Sequence, residues 1–148
     1  MIDRGNYRLS VVIFLIILTV SCTSMQTHLS TQQNSDINYR GWLLREQGRY
    51  VDALEYHQKA LTNHERSLGP EHPLVATSLY DIGVCYSYLS DYERAENYFL
   101  ESLKIREKVL GANHKEVALN LIRLADLYRN LGDLEKAEPL YWVSLEQA

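Results

Sequence analysis

The sequence of residues 69–110 is GPEHPLVATSLYDIGVCYSYLSDYERAENYFLESLKIREKVL. A second version of it follows at residues 111–148, GANHKEVALNLIRLADLYRNLGDLEKAEPLYWVSLEQA. When the chain is aligned with itself at an offset of 42 positions, matches extend over the whole unit: Gly69 with Gly111, His72 with His114, Leu79 with Leu121, Tyr86 with Tyr128, Asp91 with Asp133, Ala95 with Ala137. A fixed period of this size predicts stacked supersecondary units.

A third, more divergent copy precedes these two. At the same offset Gly41 aligns with Gly83, and Ala53 aligns with Ala95. We therefore divide residues 36–148 into three units, at about 36–68, 69–110 and 111–148.

Each unit is predicted to form two antiparallel helices. In the middle unit the first helix should run from about Pro73 to Leu89, because proline suits a first helical turn. Tight turns are expected at Gly48, Ser90 and Gly132. Asp91 is a suitable N-cap for the second helix, and Asn113 with Glu116 resembles a capping box at the start of the last unit.

Small and large residues recur at helical spacing within the units. In the middle unit the small ones are Gly83, Ala95 and Ser102, and the large ones are Leu79, Tyr86 and Phe99. This pattern resembles the tetratricopeptide repeat, and the 42-residue period resembles the subfamily typified by kinesin light chain. The resemblance implies an all-α, right-handed solenoid of about three helix-turn-helix repeats. The first helices of such a stack form a concave wall.

The resemblance also implies which side chains face the concave wall. Carried over position by position, they are Asn38, Tyr39, Trp42, Arg45, Tyr80, Asp81, Val84, Ser87, Tyr88, Ile122, Arg123, Asp126, Arg129 and Asn130. Tyr, Trp and Arg are enriched in binding hot spots, so a protein or peptide segment is the expected partner. The alternative is that Trp42 and Tyr80 pack against neighbouring helices and that the arginines are solvated.

The first residues predict an export signal. Two arginines precede an apolar run, Leu9 to Val20, which is too short for a transmembrane helix and suits a signal peptide over residues 1–21. The segment ending at Cys22 resembles a bacterial lipobox. It implies lipidation of Cys22 with acyl chains such as palmitate, and sorting to the outer membrane, facing the periplasm. An ordinary secretory signal or an uncleaved anchor is the alternative.

Residues 22–35 are polar and lack periodicity, so the sequence predicts that they form a flexible tether behind the lipidated cysteine. The net charge of the whole chain is −4, which argues against a nucleic-acid partner. We find no pattern for catalysis, a metal site or a cofactor. His57, His64, His72 and His114 are expected to be structural loop or surface residues, and Cys85 a small buried hydrophobe.

The last helix should be shorter than its counterpart in the middle unit, with no polar helix after it. Solenoids normally need such a cap, so the apolar side chains of the last helix are expected to be incompletely covered: Leu140, Tyr141, Val143 and Leu145. Two hypotheses follow. One is a lipid-anchored module that binds a protein segment in the groove. The other is a structural or accessory subunit that self-associates through this helix, or the remnant of a longer repeat protein.

Overall fold

The computed structural model describes the backbone of residues 4–146, and the side chains of residues 12–23, 25 and 35–146. All secondary structure in this part of the chain is helical. The six helices are α1 Arg4–Glu46, α2 Tyr50–Leu68, α3 Pro73–Tyr88, α4 Tyr92–Leu110, α5 Lys115–Asn130 and α6 Leu134–Glu146. The all-α repeat fold is thereby confirmed.

The chain divides into two compact units, Met1–Asp36 and Ile37–Ala148. In the first unit, residues 22–35 are helical, which differs from the expected flexible tether. The physical reason is that Thr23 to Ser35 contains no proline and no glycine, the two residues that most oppose a helix. Residues 1–3 of the expected signal peptide lie outside the described part of the chain.

The second unit is built from helical hairpins. Consecutive helices from α2 to α6 contact one another in turn, and α3 also contacts α5. The turns inside the hairpins lie where they were predicted: Gly48 has a φ of 75°, Ser90 of 61° and Gly132 of 79°. All three therefore occupy the left-handed region, which a serine adopts less readily than a glycine. Three equivalent turns confirm the register of the repeat.

Helix caps define the starts of the helices. Asp91 accepts a hydrogen bond from the backbone N–H of Arg94 at 3.2 Å, as predicted. The capping box at Asn113 is wrong, because the N-cap of α5 is His114, whose Nδ1 accepts from the N–H of Glu116 at 3.2 Å. His72 caps α3 in the same way through the N–H of Leu74.

Close approach of two helices explains the glycines of the first helices. A Cβ placed on Gly83 would lie 2.8 Å from the Phe99 ring, and one placed on Gly41 would lie 2.7 Å from the His57 ring. Carbon atoms do not pack this closely, so each glycine lets an aromatic ring of the second helix pack against the backbone of the first. The small-against-large pattern thus corresponds to real contacts in both hairpins.

Candidate peptide-binding groove

The predicted groove positions lie on the C-terminal part of α1 and on α3 and α5, and they enclose two adjacent cavities. The larger has a volume of about 360 Å³ and the smaller of about 250 Å³. Val84, Tyr88 and Arg123 line both. The predicted residues that line at least one cavity are Arg45, Tyr80, Val84, Ser87, Tyr88, Arg123, Asp126, Arg129 and Asn130.

Aromatic rings make up much of the exposed surface here. Tyr88 is 57% exposed, and its ring stacks on Tyr50 with centroids 4.7 Å apart and planes within 3°. Tyr39 and Trp42 are 62% and 45% exposed and stack on each other at 6.0 Å. Large rings that are both exposed and held by stacking present apolar area at low conformational cost.

Arg45 is less available than the sequence suggested. Its Nη1 lies 2.7 Å from Oδ1 of Asp81, and both side chains are largely shielded from water. The other carboxylate oxygen of Asp81 lies 3.9 Å from Nδ1 of His57. Two predicted groove residues therefore satisfy each other, and the pair joins α1 to α3.

Arg123 is the opposite case. Its Nε donates to the hydroxyl of Tyr80 at 3.1 Å, and no carboxylate of the described residues forms an ion pair with it. The Tyr80 ring is held from behind by the buried Arg106, whose guanidinium carbon lies 4.8 Å from the ring centroid. Arg123 thus presents a positive charge at the point that the two cavities share.

At the α5 end of the groove the charges are paired. Arg129 lies 3.2 Å from Oδ1 of Asp126, and the same oxygen accepts a hydrogen bond from the hydroxyl of Tyr141 at 2.7 Å. Asn130 is exposed. This end of the groove offers polar contacts but little net charge.

The remaining predicted positions divide by burial. Val84 is buried and forms part of the floor. Asn38 and Ile122 are half-buried and, like Tyr39 and Trp42, line neither cavity. These four residues lie beside the cavities on the same helices.

Some lining residues were missed by the sequence analysis. Tyr50 and Tyr92 line the smaller and the larger cavity respectively. Each is the first residue of the second helix in its hairpin. They align with each other at the 42-residue offset, and this recurrence of tyrosine was the available signal.

A buried polar network lies behind the groove, between α3, α4 and α5. Arg106 donates to Oδ1 of Asn120 at 2.6 Å and to the carbonyl of Glu116 at 3.0 Å. Asn120 donates in turn to the carbonyl of Phe99 at 2.8 Å. Burial lowers the pKa of Arg106, and Glu116 opposes that shift. The network fixes the face of α4 on which the Tyr80 ring rests.

The described residues contain no group of three or more His, Cys, Asp or Glu side chains placed to hold a metal ion. Cys85 is buried, and burial raises the pKa of its thiol to about 11.

His72 and His114 are loop residues that cap helices, as expected. His57 and His64 are buried in α2, so the expectation of loop or surface positions is wrong for them. The His57 ring packs against Gly41 of α1, and Nδ1 of His64 lies 3.0 Å from the hydroxyl of Ser78 on α3.

Solved structures with similar folds come from several sources. BtubC (BKLC) from P. vanneervenii is 24% identical with a TM-score of 0.72, over 77% of this chain and 45% of that one. A Podosopora anserina protein described as a kinesin light chain with nearly identical TPR-like repeats is 18% identical with a TM-score of 0.68, over 76% and 54%. This chain therefore spans about half the length of those two structures.

The TPR domain of Arabidopsis FLU is 19% identical with a TM-score of 0.70, over 80% of this chain and 96% of that domain. At these identities the likeness shows the fold. No curated protein matches the chain. The model of the tetratricopeptide repeat matches residues 35–108 and again residues 91–148. Because these matches include most of the sequence, the chain belongs to the tetratricopeptide repeat family.

Proposed function

We propose that this chain binds a protein or peptide segment along the groove formed by α1, α3 and α5. Tetratricopeptide repeat domains are generally protein–protein interaction modules. One observation carries the assignment to this surface: exposed tyrosines and a cation without a carboxylate partner lie together where two cavities meet. Tyr88 and Arg123 line both cavities, so an extended segment that passes from one cavity to the other would contact both side chains.

The test is the capture of partners by the full chain from detergent-solubilised membranes, followed by direct binding of the recovered protein to variants. Tyr88→Ala and Arg123→Gln should each weaken binding about tenfold or more, as expected for hot-spot residues. Leu100→Ala and Arg66→Gln are matched controls, because both residues are exposed on the second helices and line neither cavity. Equal losses in all four variants would contradict the assignment.

We further propose that the module is held at a bacterial membrane through acyl chains on Cys22, at the outer membrane facing the periplasm. Supporting this, Val12 to Val20 is an apolar run whose large side chains are all at least half exposed, and Cys22, two residues after it, is also exposed. In the described part of the chain, no helix has the length and apolarity to cross a membrane. Two or more acyl chains are sufficient for stable anchoring.

Metabolic labelling with a radioactive or clickable fatty acid tests this proposal. Cys22→Ala should abolish labelling and leave an unprocessed precursor of larger apparent mass. Cys85→Ala is the control, because its thiol is buried, and it should label as the unaltered chain does. Labelling that survives in Cys22→Ala would exclude lipidation at this residue.

A second candidate function is self-association through α6. Trp142 and Leu145 are 68% and 66% exposed on this helix, whereas Leu140 packs against the core and the Tyr141 hydroxyl bonds to Asp126. Val143 is 42% exposed, so the incompletely covered face consists of Trp142, Val143 and Leu145. It keeps two of the four predicted side chains and adds Trp142. If it forms an interface, the full chain in mild detergent should be oligomeric by light scattering. Trp142→Ser combined with Leu145→Ser should then make it monomeric.

A further inference from the structure

His57 occupies an unusual position under the groove. Its side chain is 1% exposed, and its ring packs against the backbone of α1 at Gly41. Within the described part of the chain, neither ring nitrogen has a hydrogen-bond partner. The equivalent residue one repeat later is Phe99, which has no polar atom to satisfy. Burying an imidazole without hydrogen bonds, at a position where the next repeat has phenylalanine, lowers the stability of the fold.

Charged groups approach this ring from both neighbouring helices. Arg45 on α1 and Asp81 on α3 form the ion pair already described, and Asp81 presents its second oxygen to His57 at 3.9 Å. Burial lowers the pKa of His57, the Asp81 carboxylate raises it, and Arg45 lowers it again. The Cys85 thiol of α3 feels the same two charges, and it stays neutral because burial raises its pKa.

We propose that His57 is a proton-sensitive regulator of the groove: protonation of its ring draws the Asp81 carboxylate toward α2 and weakens the ion pair that holds Arg45. The Asp81 carboxylate already lies between the Arg45 guanidinium and the His57 ring, so a small rotation converts the 3.9 Å approach to His57 into a hydrogen bond. The Arg45 guanidinium, which lines the smaller cavity, then becomes available to a ligand.

The direction of the pH effect follows from the environment. At neutral pH the buried ring is neutral, Asp81 is committed to Arg45, and the groove displays chiefly the charge of Arg123. Because burial lowers the pKa of His57 below its ordinary value of 6.5, the ring takes up a proton only in acidic solution. This regulation rests on the proposed binding function: a partner that brings a carboxylate to Arg45 should bind more tightly in acid. By reciprocity, that partner should make His57 easier to protonate.

NMR of the isotope-labelled full chain tests the coupling without any partner. The ring C–H of His57 and the side-chain Nε–H of Arg45 are followed from about pH 7.5 to about pH 5, the range in which histidine titrates. We expect the His57 midpoint to lie below 6.5 and the Arg45 signal to move with the same midpoint. An Arg45 signal that stays constant while His57 titrates would overturn the proposal.

Two variants provide the controls. His57→Phe copies the ring of the next repeat and should make the Arg45 signal independent of pH. Asp81→Asn removes the carboxylate, so the Arg45 signal should already be that of the released side chain at about pH 7.5, and the His57 midpoint should fall further, since Asp81 raises the pKa of His57. A His57 midpoint unchanged by Asp81→Asn would also overturn the proposal. Failure of the coupling leaves the groove assignment standing, because no groove partner enters this experiment.

Discussion

The junctions that follow the first and second repeats use the same backbone positions with different chemistry. Between α2 and α3, a single hydrogen bond of 3.0 Å joins Nδ1 of His64 to the hydroxyl of Ser78. One period later, between α4 and α5, the equivalent positions are Arg106 and Asn120, joined at 2.6 Å. Both pairs are buried. The first junction is thus neutral when its histidine is unprotonated, whereas the second buries a permanent charge.

The difference extends into the hairpins. Gly41 accommodates a histidine ring in the first repeat, and Gly83 accommodates a phenylalanine ring in the second. At this position the repeat therefore specifies size and burial and leaves polarity free. This tolerance lets one repeat respond to protons while the next does not.

The largest expected effect compares Asn120→Ala with Ser78→Ala. Without Asn120, the buried Arg106 loses an acceptor and the carbonyl of Phe99 loses its donor. The hydrogen bond from the charged Arg106 is worth about 1.5–3 kcal/mol and the amide–carbonyl bond about 1 kcal/mol more, whereas Ser78→Ala removes one hydrogen bond worth about 1 kcal/mol. Urea unfolding of both variants measures the two losses. Equal losses would mean that the two junctions are energetically alike despite their chemistry.

The glycine contacts should give a smaller effect, and one shared by both hairpins. Gly41→Leu and Gly83→Leu force a side chain into a ring that already lies too close for a Cβ, and such overpacking costs about 1–3 kcal/mol. Thermal melts followed by circular dichroism report it. Asn97→Leu, at an exposed position of α4, is the control. If either glycine variant has the same melting temperature as this control, the helices of that hairpin are not in close contact.

A still smaller difference lies at the caps of the second helices. Asp91 caps α4 with its side chain, but the equivalent Arg49 makes no such bond to α2. Asp91→Ala should therefore cost about 1 kcal/mol, and Arg49→Ser should add a few tenths to about 1 kcal/mol. Chemical denaturation compares the two. A loss of stability in Arg49→Ser would show that the ion pair of Arg49 with Asp52 outweighs a cap.

The smallest expected effect is a loss of stability in acid that is caused by the two buried histidines of the first repeat. Burial lowers the pKa of both His57 and His64 below 6.5, so the unfolded chain binds protons more readily than the folded chain. Stability is then fully present above about pH 6.5 and falls as the pH is lowered through the folded-state values. Unfolding of His57→Phe with His64→Gln, measured from about pH 7 to about pH 5, should depend less on pH than that of the unaltered chain. An identical dependence would place the acid sensitivity elsewhere.

The repeat, the positions of its turns and the Asp91 cap could be predicted from the sequence, because a fixed offset relates every copy to the others. The burial of His57 and His64 could not. Helical spacing assigns a residue to a face, but a polar residue on that face is buried only if a neighbour supplies small side chains or a hydrogen-bond partner. For His64 that partner is Ser78, fourteen positions away and on another helix.

The groove shows the same limit. Its helices and most of its lining residues follow from the family pattern, which sets the facing positions of α1, α3 and α5. The pairing of Arg45 with Asp81 does not, since it depends on side-chain conformations across two helices. From the sequence alone there was no reason to treat Arg45 and Arg123 differently, and only the partners around them distinguish a neutralised arginine from an available one.

Cys85 offers a way to time the opening of the stack. Its thiol is fully shielded in the middle of α3, and burial raises its pKa to about 11, so the closed state should hardly react with an alkylating reagent. In a chain whose Cys22 is acylated or replaced by alanine, Cys85 is the one thiol left. Its labelling rate would then report how often the hairpin of α3 and α4 opens, and so would measure the lifetime of the closed state at a single atom.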